Sequence, residues 1–100
     1  MGRVYEQVFE RVAGLDVHKA QVTACVRVPD AEGRRVAHLA EFATTVAGLL
    51  ALAYWLKGYA VSHVAMEATG VYWLPVWHML EGDFELTLCN ARHVKNVALV

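Results

Sequence analysis

Residues 12–28 read Val12-Ala-Gly-Leu-Asp-Val-His-Lys-Ala-Gln-Val-Thr-Ala-Cys-Val-Arg-Val28. The second half of this stretch alternates: Val22, Ala24, Val26 and Val28 fall on one face of an extended chain, and Thr23, Cys25 and Arg27 on the other. A period of two marks a strand with one buried face. The first half, Val12–Val17, is a short apolar run holding one carboxylate, Asp16. Working outward, Pro29-Asp-Ala-Glu-Gly33 reads as a turn in which Gly33 supplies the unusual backbone angle. Val36–Phe42 then returns as a third strand. Three strands with short connections predict an antiparallel meander.

The period changes at Thr45, an N-cap residue type. Val46, Leu49, Leu50, Ala53 and Leu56 follow at helical spacing, and Gly58 is placed to end the helix. Val61–Met66 is an almost wholly apolar strand of the kind buried on both faces. Thr69-Gly70 breaks it. Tyr72–Leu80 reads as a second helix presenting Trp73, Val76, Trp77 and Leu80, with Pro75 tolerable in its first turn. Gly82 stops this helix, Phe84–Cys89 is a fifth strand, and Asn90 opens a basic turn with Arg92, His93 and Lys95. The order β-β-β-α-β-α-β, with right-handed crossovers, sets the last two strands parallel to a central one. The expectation is one α/β domain built on a mixed five-stranded sheet.

Composition narrows the function classes. Of 100 residues, 57 % are apolar and 19 % charged, which excludes a disordered tail. A chain this short buries only about two thirds of its unfolded surface, so exposed apolar surface seeking a partner is expected. Nine basic against ten acidic residues give a net charge of −1, with no broad field for nucleic acid or an anionic membrane. The longest uncharged run, Phe42–Leu56, is too short to span a bilayer. No signal-like stretch opens the chain, and the expected location is cytoplasmic. Cys25 and Cys89 stand 64 residues apart in apolar runs and read as two thiols rather than a disulfide.

Two carboxylates interrupt apolar strands: Asp16, and Glu67 at the end of Val64-Ala-Met-Glu67. A buried carboxylate needs a cation, a donor or a metal. If the first and fourth strands are neighbours, the two groups meet at one end of the sheet, where a divalent metal would neutralise them. On residue type alone, each also fits a role as a turn cap at a strand end.

Three blocks carry a family resemblance: Gly14-Leu-Asp-Val-His-Lys19; Ala65-Met-Glu-Ala-Thr-Gly-Val-Tyr-Trp73 with Pro75-Val-Trp77; and Asn90-Ala-Arg-His-Val-Lys-Asn96. In this order, over about residues 12–97, they resemble the amino-terminal catalytic domain of DEDD-type insertion-sequence transposases, the group that includes the Piv invertase. The resemblance implies an RNase H-like, RuvC-like fold with sheet order 3-2-1-4-5. It also implies a DNA recombinase whose four acids bind Mg²⁺ (or Mn²⁺) for phosphodiester cleavage and strand transfer. Asp16 matches the first acid and Glu67 the second, as catalytic and metal-binding residues. Some relatives also use a serine nucleophile in a later domain and a guide RNA from the element.

The third and fourth acids of the family form an Asp-x-x-Asp-like pair after the Asn90 block. The only other aspartates, Asp30 and Asp83, sit in a turn and after a helix. The expectation is therefore a leader over 1–11 and the amino-terminal part of a RuvC-like catalytic domain over 12–100, incomplete at the C-terminus and inactive alone. The alternative is an inactive truncated product that acts as an interaction or regulatory module for full-length transposase, as a homo-oligomer or with that partner, and with no membrane role. His18, Lys19, Thr69, Arg92, His93 and Lys95 are the expected nucleic-acid contacts. An actin-like or sugar-kinase domain shares an aspartate on its first strand but follows it with a Gly/Thr/Ser-rich phosphate loop. Here His18-Lys19 follow instead.

Overall fold

The computed structural model describes residues 9–68 and 70–90. Five strands, β1 (Val12–Val17), β2 (Gln21–Pro29), β3 (Arg35–Ala43), β4 (His63–Ala68) and β5 (Glu85–Asn90), form one sheet in the order β3-β2-β1-β4-β5. The pairs β1–β2 and β2–β3 are antiparallel, while β1–β4 and β4–β5 are parallel. Two helices, α1 (Val46–Gly58) and α2 (Trp73–Leu80), make the crossovers. The order matches the 3-2-1-4-5 expectation for an RNase H-like sheet.

The meander forms where its turn chemistry dictates. Gly33 takes φ +83°, and the Asp30 carboxylate accepts from the Glu32 and Arg34 backbone N–H groups at 2.9 Å, closing the β2–β3 turn. The pleat then sorts β2 as its alternation predicts. Val22, Ala24, Val26 and Val28 are buried with Ala13, Leu15 and Val17 of β1 and Val64, Met66 and Ala68 of β4. Leu49, Leu52, Leu56, Val76 and Leu80 of the two helices complete this one core. The opposite face of the sheet carries Gly14 and Asp16 of β1, Thr23 and Cys25 of β2, and Ala65 and Glu67 of β4.

α1 begins where Thr45 predicts: its Oγ1 accepts from the Gly48 N–H at 3.1 Å. Its buried stripe differs from the expected one. Leu49, Leu52, Ala53 and Leu56 are buried, whereas Val46 and Leu50 are exposed. In a helix apolar almost all round, spacing admits several stripes, and the direction of the sheet selects one. The helix stop also differs. Gly58 is the last helical residue, and the left-handed position is taken by Ala60 at φ +55°. The Ala60 N–H bonds to Lys57 O at 2.9 Å and the Val61 N–H to Leu56 O at 3.2 Å, the paired bonds of a Schellman cap. Val61 is consumed by this cap, so β4 starts at His63, two residues later than the apolar run suggests.

Polar bonds lace the amino ends of the strands together. The Arg11 Nε–H donates to Tyr59 O at 2.8 Å, the Ser62 N–H and hydroxyl donate to Arg11 O, and the Glu85 N–H donates to Ser62 O. The tryptophans are core-flanking groups. Trp55 lies between Phe42 and Tyr59, and Trp73 meets Trp77 edge-on at 5.8 Å. Next to β5, Phe84 is buried; within the strand, Leu86 packs against the core, while Leu88 is exposed. Cys25 and Cys89 are not joined to each other by a disulfide. Strands β2 and β5 stand three strand spacings apart, roughly 14 Å, too far for a disulfide.

Candidate metal centre

The site follows from register. Asp16 of β1 pairs with Glu67 of β4, and in the same cross-sheet row Thr23 of β2 pairs with Asp16 and Cys89 of β5 with Glu67. Residues in register on neighbouring strands have Cα atoms about 4.8 Å apart and side chains on the same face. Both carboxylates therefore rise from the face opposite the helices, near the carboxyl ends of two parallel strands. One row below, Gly14 and Ala65 are partners, and a Cβ built on Gly14 meets nothing within 4 Å. The small side chains leave an open depression of about 250 Å³ lined by Gly14, Asp16, Thr23, Cys25, Ala65 and Glu67.

The expected burial of the first carboxylate is not observed. The Asp16 side chain is 61 % exposed, and Glu67 is half-buried. The reason lies in the pleat. Asp16 stands between buried Leu15 and Val17 in sequence but points to the other face, so an apolar run with one acid is an ordinary one-sided strand. His18 belongs to the same corner. Its Nε2 lies 3.1 Å from Asp16 Oδ2, and its backbone N–H closes the β1–β2 hairpin on Gln21 O. Lys19 is exposed in that hairpin, where its carbonyl accepts from Thr44 Oγ1 at 2.9 Å. Thr69, Arg92, His93 and Lys95 lie outside the described residues.

Burial, and then the charge of Glu67, push the Cys89 thiol above its ordinary pKa. Thr23, Cys25 and Cys89 are the site neighbours that sequence reading did not single out. Alternation already put Thr23 and Cys25 on the non-core face, but only pairing register shows that Asp16 and Glu67 share it.

Among the described residues, no group of three or more His, Cys, Asp or Glu side chains is arranged to hold a metal. The pair Asp16–Glu67 nevertheless fits a hard divalent cation in part. Mg²⁺ favours oxygen ligands and is usually held by one or two carboxylates, with waters and substrate phosphate oxygens completing its shell.

This strand order, with a meander at one edge and two parallel crossovers at the other, is that of an RNase H-like, RuvC-like fold. RuvC of Thermus thermophilus matches it with a TM-score of 0.59 at 16 % identity, over 86 % of this chain and 67 % of that one. RuvC of the same organism in complex with a Holliday junction substrate gives a TM-score of 0.60 at 14 % identity, over 88 % and 69 %. The fowlpox virus Holliday junction resolvase gives 0.59 at 11 % identity, over 89 % and 70 %. Within that class the chain belongs to the DEDD transposases of the IS110 group, whose family model, described as a transposase, matches residues 13–99. No curated protein matches the chain significantly.

Proposed function

We propose that residues 12–100 are the amino-terminal part of a transposase catalytic domain, preceded by a leader over 1–11. In this reading Asp16 and Glu67 supply the first two of four acids for metal-dependent cleavage and strand transfer of DNA. The observation that carries the reading is the register pairing of Asp16 with Glu67 beside a depression floored by Gly14 and Ala65. A bound divalent cation supplies Lewis acidity toward a phosphodiester and offsets the repulsion between the carboxylates. Asp16 and Glu67 would offer it oxygen ligands. His18, in contact with the Asp16 carboxylate, holds that group's orientation, and the missing Cβ at Gly14 leaves room for a sugar–phosphate backbone at the row below. Resolvases of this fold are known in complex with Holliday junction DNA, which supports DNA as the substrate class. Lys19, Thr69, Arg92, His93 and Lys95 are proposed as backbone contacts, and a guide RNA as a partner in target choice.

The chain's other aspartates do not join the row. Asp30 caps the β2–β3 turn and Asp83 pairs with Lys57 at 3.0 Å. The 100-residue chain alone is therefore expected to bind a divalent cation weakly and not to cleave DNA. Mn²⁺ binding followed by electron paramagnetic resonance tests the site: Asp16→Asn and Glu67→Gln should each abolish the signal change shown by the parent chain. Equal binding by parent and both variants would overturn the assignment.

A further inference from the structure

We propose that β3 is a self-complementary edge through which two copies of this chain join their sheets into one ten-stranded sheet. β3 runs nine residues, Arg35-Val-Ala-His-Leu-Ala-Glu-Phe-Ala43, and stands at the sheet's edge. Natural edge strands are usually blunted by prolines, lysines, bulges or short length. β3 contains no proline or lysine, its register with β2 is unbroken from Arg35↔Pro29 to Ala43↔Gln21, and the acidic and basic side chains it carries, Glu41 and Arg35, are of opposite sign and so can complement those of a second copy. Leu39 is 73 % exposed at its centre.

The backbone decides which registers a second copy can take. At the β2–β3 turn the Asp30 N–H donates to Arg34 O at 2.8 Å. Alternation along an antiparallel ladder then turns the N–H and C=O groups of Val36, His38, Ala40 and Phe42 toward β2. Those of Arg35, Ala37, Leu39 and Glu41 point to the open edge, where no backbone partner exists among the described residues. Another β3 can pair antiparallel only by matching these outward residues with one another. Of such registers, the one centred on His38 places Arg35 opposite Glu41 of the second copy, and Glu41 opposite its Arg35. Ala37 and Leu39 face each other between the two ion pairs. A two-fold axis normal to the sheet keeps both core faces on the same side and closes the assembly at two copies. Sliding by one pair sets Arg35 against Ala43 and loses both ion pairs. Charge complementarity thus selects one occupant and one register.

The test uses the whole 100-residue chain in sedimentation velocity. The parent should be dimeric at tens of micromolar. Arg35→Glu and Glu41→Arg should each weaken the dimer by about tenfold or more, since two attractive cross-strand pairs become repulsive. Mixing the two variants should restore a dimer, because each charge then meets its opposite across the edge. Arg35 also donates to the Glu10 and Arg27 carbonyls, and Glu41 accepts from Gln21, so a folding loss in either variant is separated by a second measurement. In the proposed register His38 lies opposite His38 of the second copy in a non-hydrogen-bonded pair with Cα atoms about 4.5 Å apart. His38→Cys should therefore form an intermolecular disulfide on mild oxidation, and Ala43→Cys should not. A monomeric parent, a mixture that stays monomeric while both variants are folded, or cross-linking by Ala43→Cys but not His38→Cys would each overturn the proposal.

Discussion

At the scale of single residues, the site row Thr23–Asp16–Glu67–Cys89 couples chemistry to position. Asp16 is solvent-exposed, and exposed substitutions usually alter stability by less than about 0.5 kcal/mol. Loss of Mn²⁺ binding in Asp16→Asn, with an unchanged melting temperature, would thus report lost ligation and not unfolding. Cys89 gives an independent probe. Its raised pKa, from burial first and Glu67 second, keeps it a neutral thiol where a free cysteine begins to ionise. Because the folded-state pKa lies above the unfolded one, the stability this group contributes is intact below the unfolded value. It is lost as pH rises through the folded value. Glu67→Gln removes the neighbouring negative charge, so Cys89 should alkylate faster than in the parent at the same mildly alkaline pH. Mass spectrometry of iodoacetamide-treated protein reads this directly, with half-buried Cys25 as the internal reference. An unchanged Cys89 rate would show that the two side chains do not sense each other.

At the scale of elements, α1 carries two opposed glycine questions. Ala60 occupies a left-handed position that costs an L-residue roughly 1 kcal/mol or more, while glycine gives back part of that gain through its unfolded-state freedom. Ala60→Gly should raise stability by about 0.5 kcal/mol, seen as a rise of a few degrees in melting temperature. Gly48 invites the reverse substitution, because alanine is favoured over glycine by about 1 kcal/mol in a helix interior. A Cβ there would lie 2.1 Å from the Ala43 carbonyl oxygen, so backbone must move. Gly48→Ala should destabilise by about 1–3 kcal/mol despite its better propensity, a result that chemical denaturation can check. The turn at Gly33 and the cap at Thr45 were legible because each is a local rule satisfied within four residues. The α1 stripe and the start of β4 were not. An all-round apolar helix and a cap that consumes Val61 are settled by what lies across the core, not by spacing.

At the scale of the whole molecule, charge and surface set behaviour. With a net charge of −1, few phosphate contacts are available, so binding of the 100-residue chain to duplex DNA should be weak and lost at modest salt. A mobility-shift titration at two salt concentrations tests this, and salt-resistant binding would contradict it. Exposed apolar side chains are concentrated at Leu39 on β3, at Val46, Leu50 and Tyr54 on α1, and at Val71, Tyr72 and Leu74 around the start of α2. No described helix is long and apolar enough to cross a membrane. The sequence by itself determined the element order, the meander, the crossover topology and the two acids, because periodicity, turn chemistry and the handedness of crossovers are local or nearly so. It determined the family as well, since three short blocks in order carry that information. Only the tertiary structure decided that Asp16 and Glu67 share a row, that Gly14 and Ala65 hollow the sheet beside them, and that β3, which carries Arg35 and Glu41, stands at the sheet's edge. Those are relations between strands distant in the chain. They are fixed by hydrogen-bond register, and a one-residue slip in register would have turned every one of these side chains to the other face.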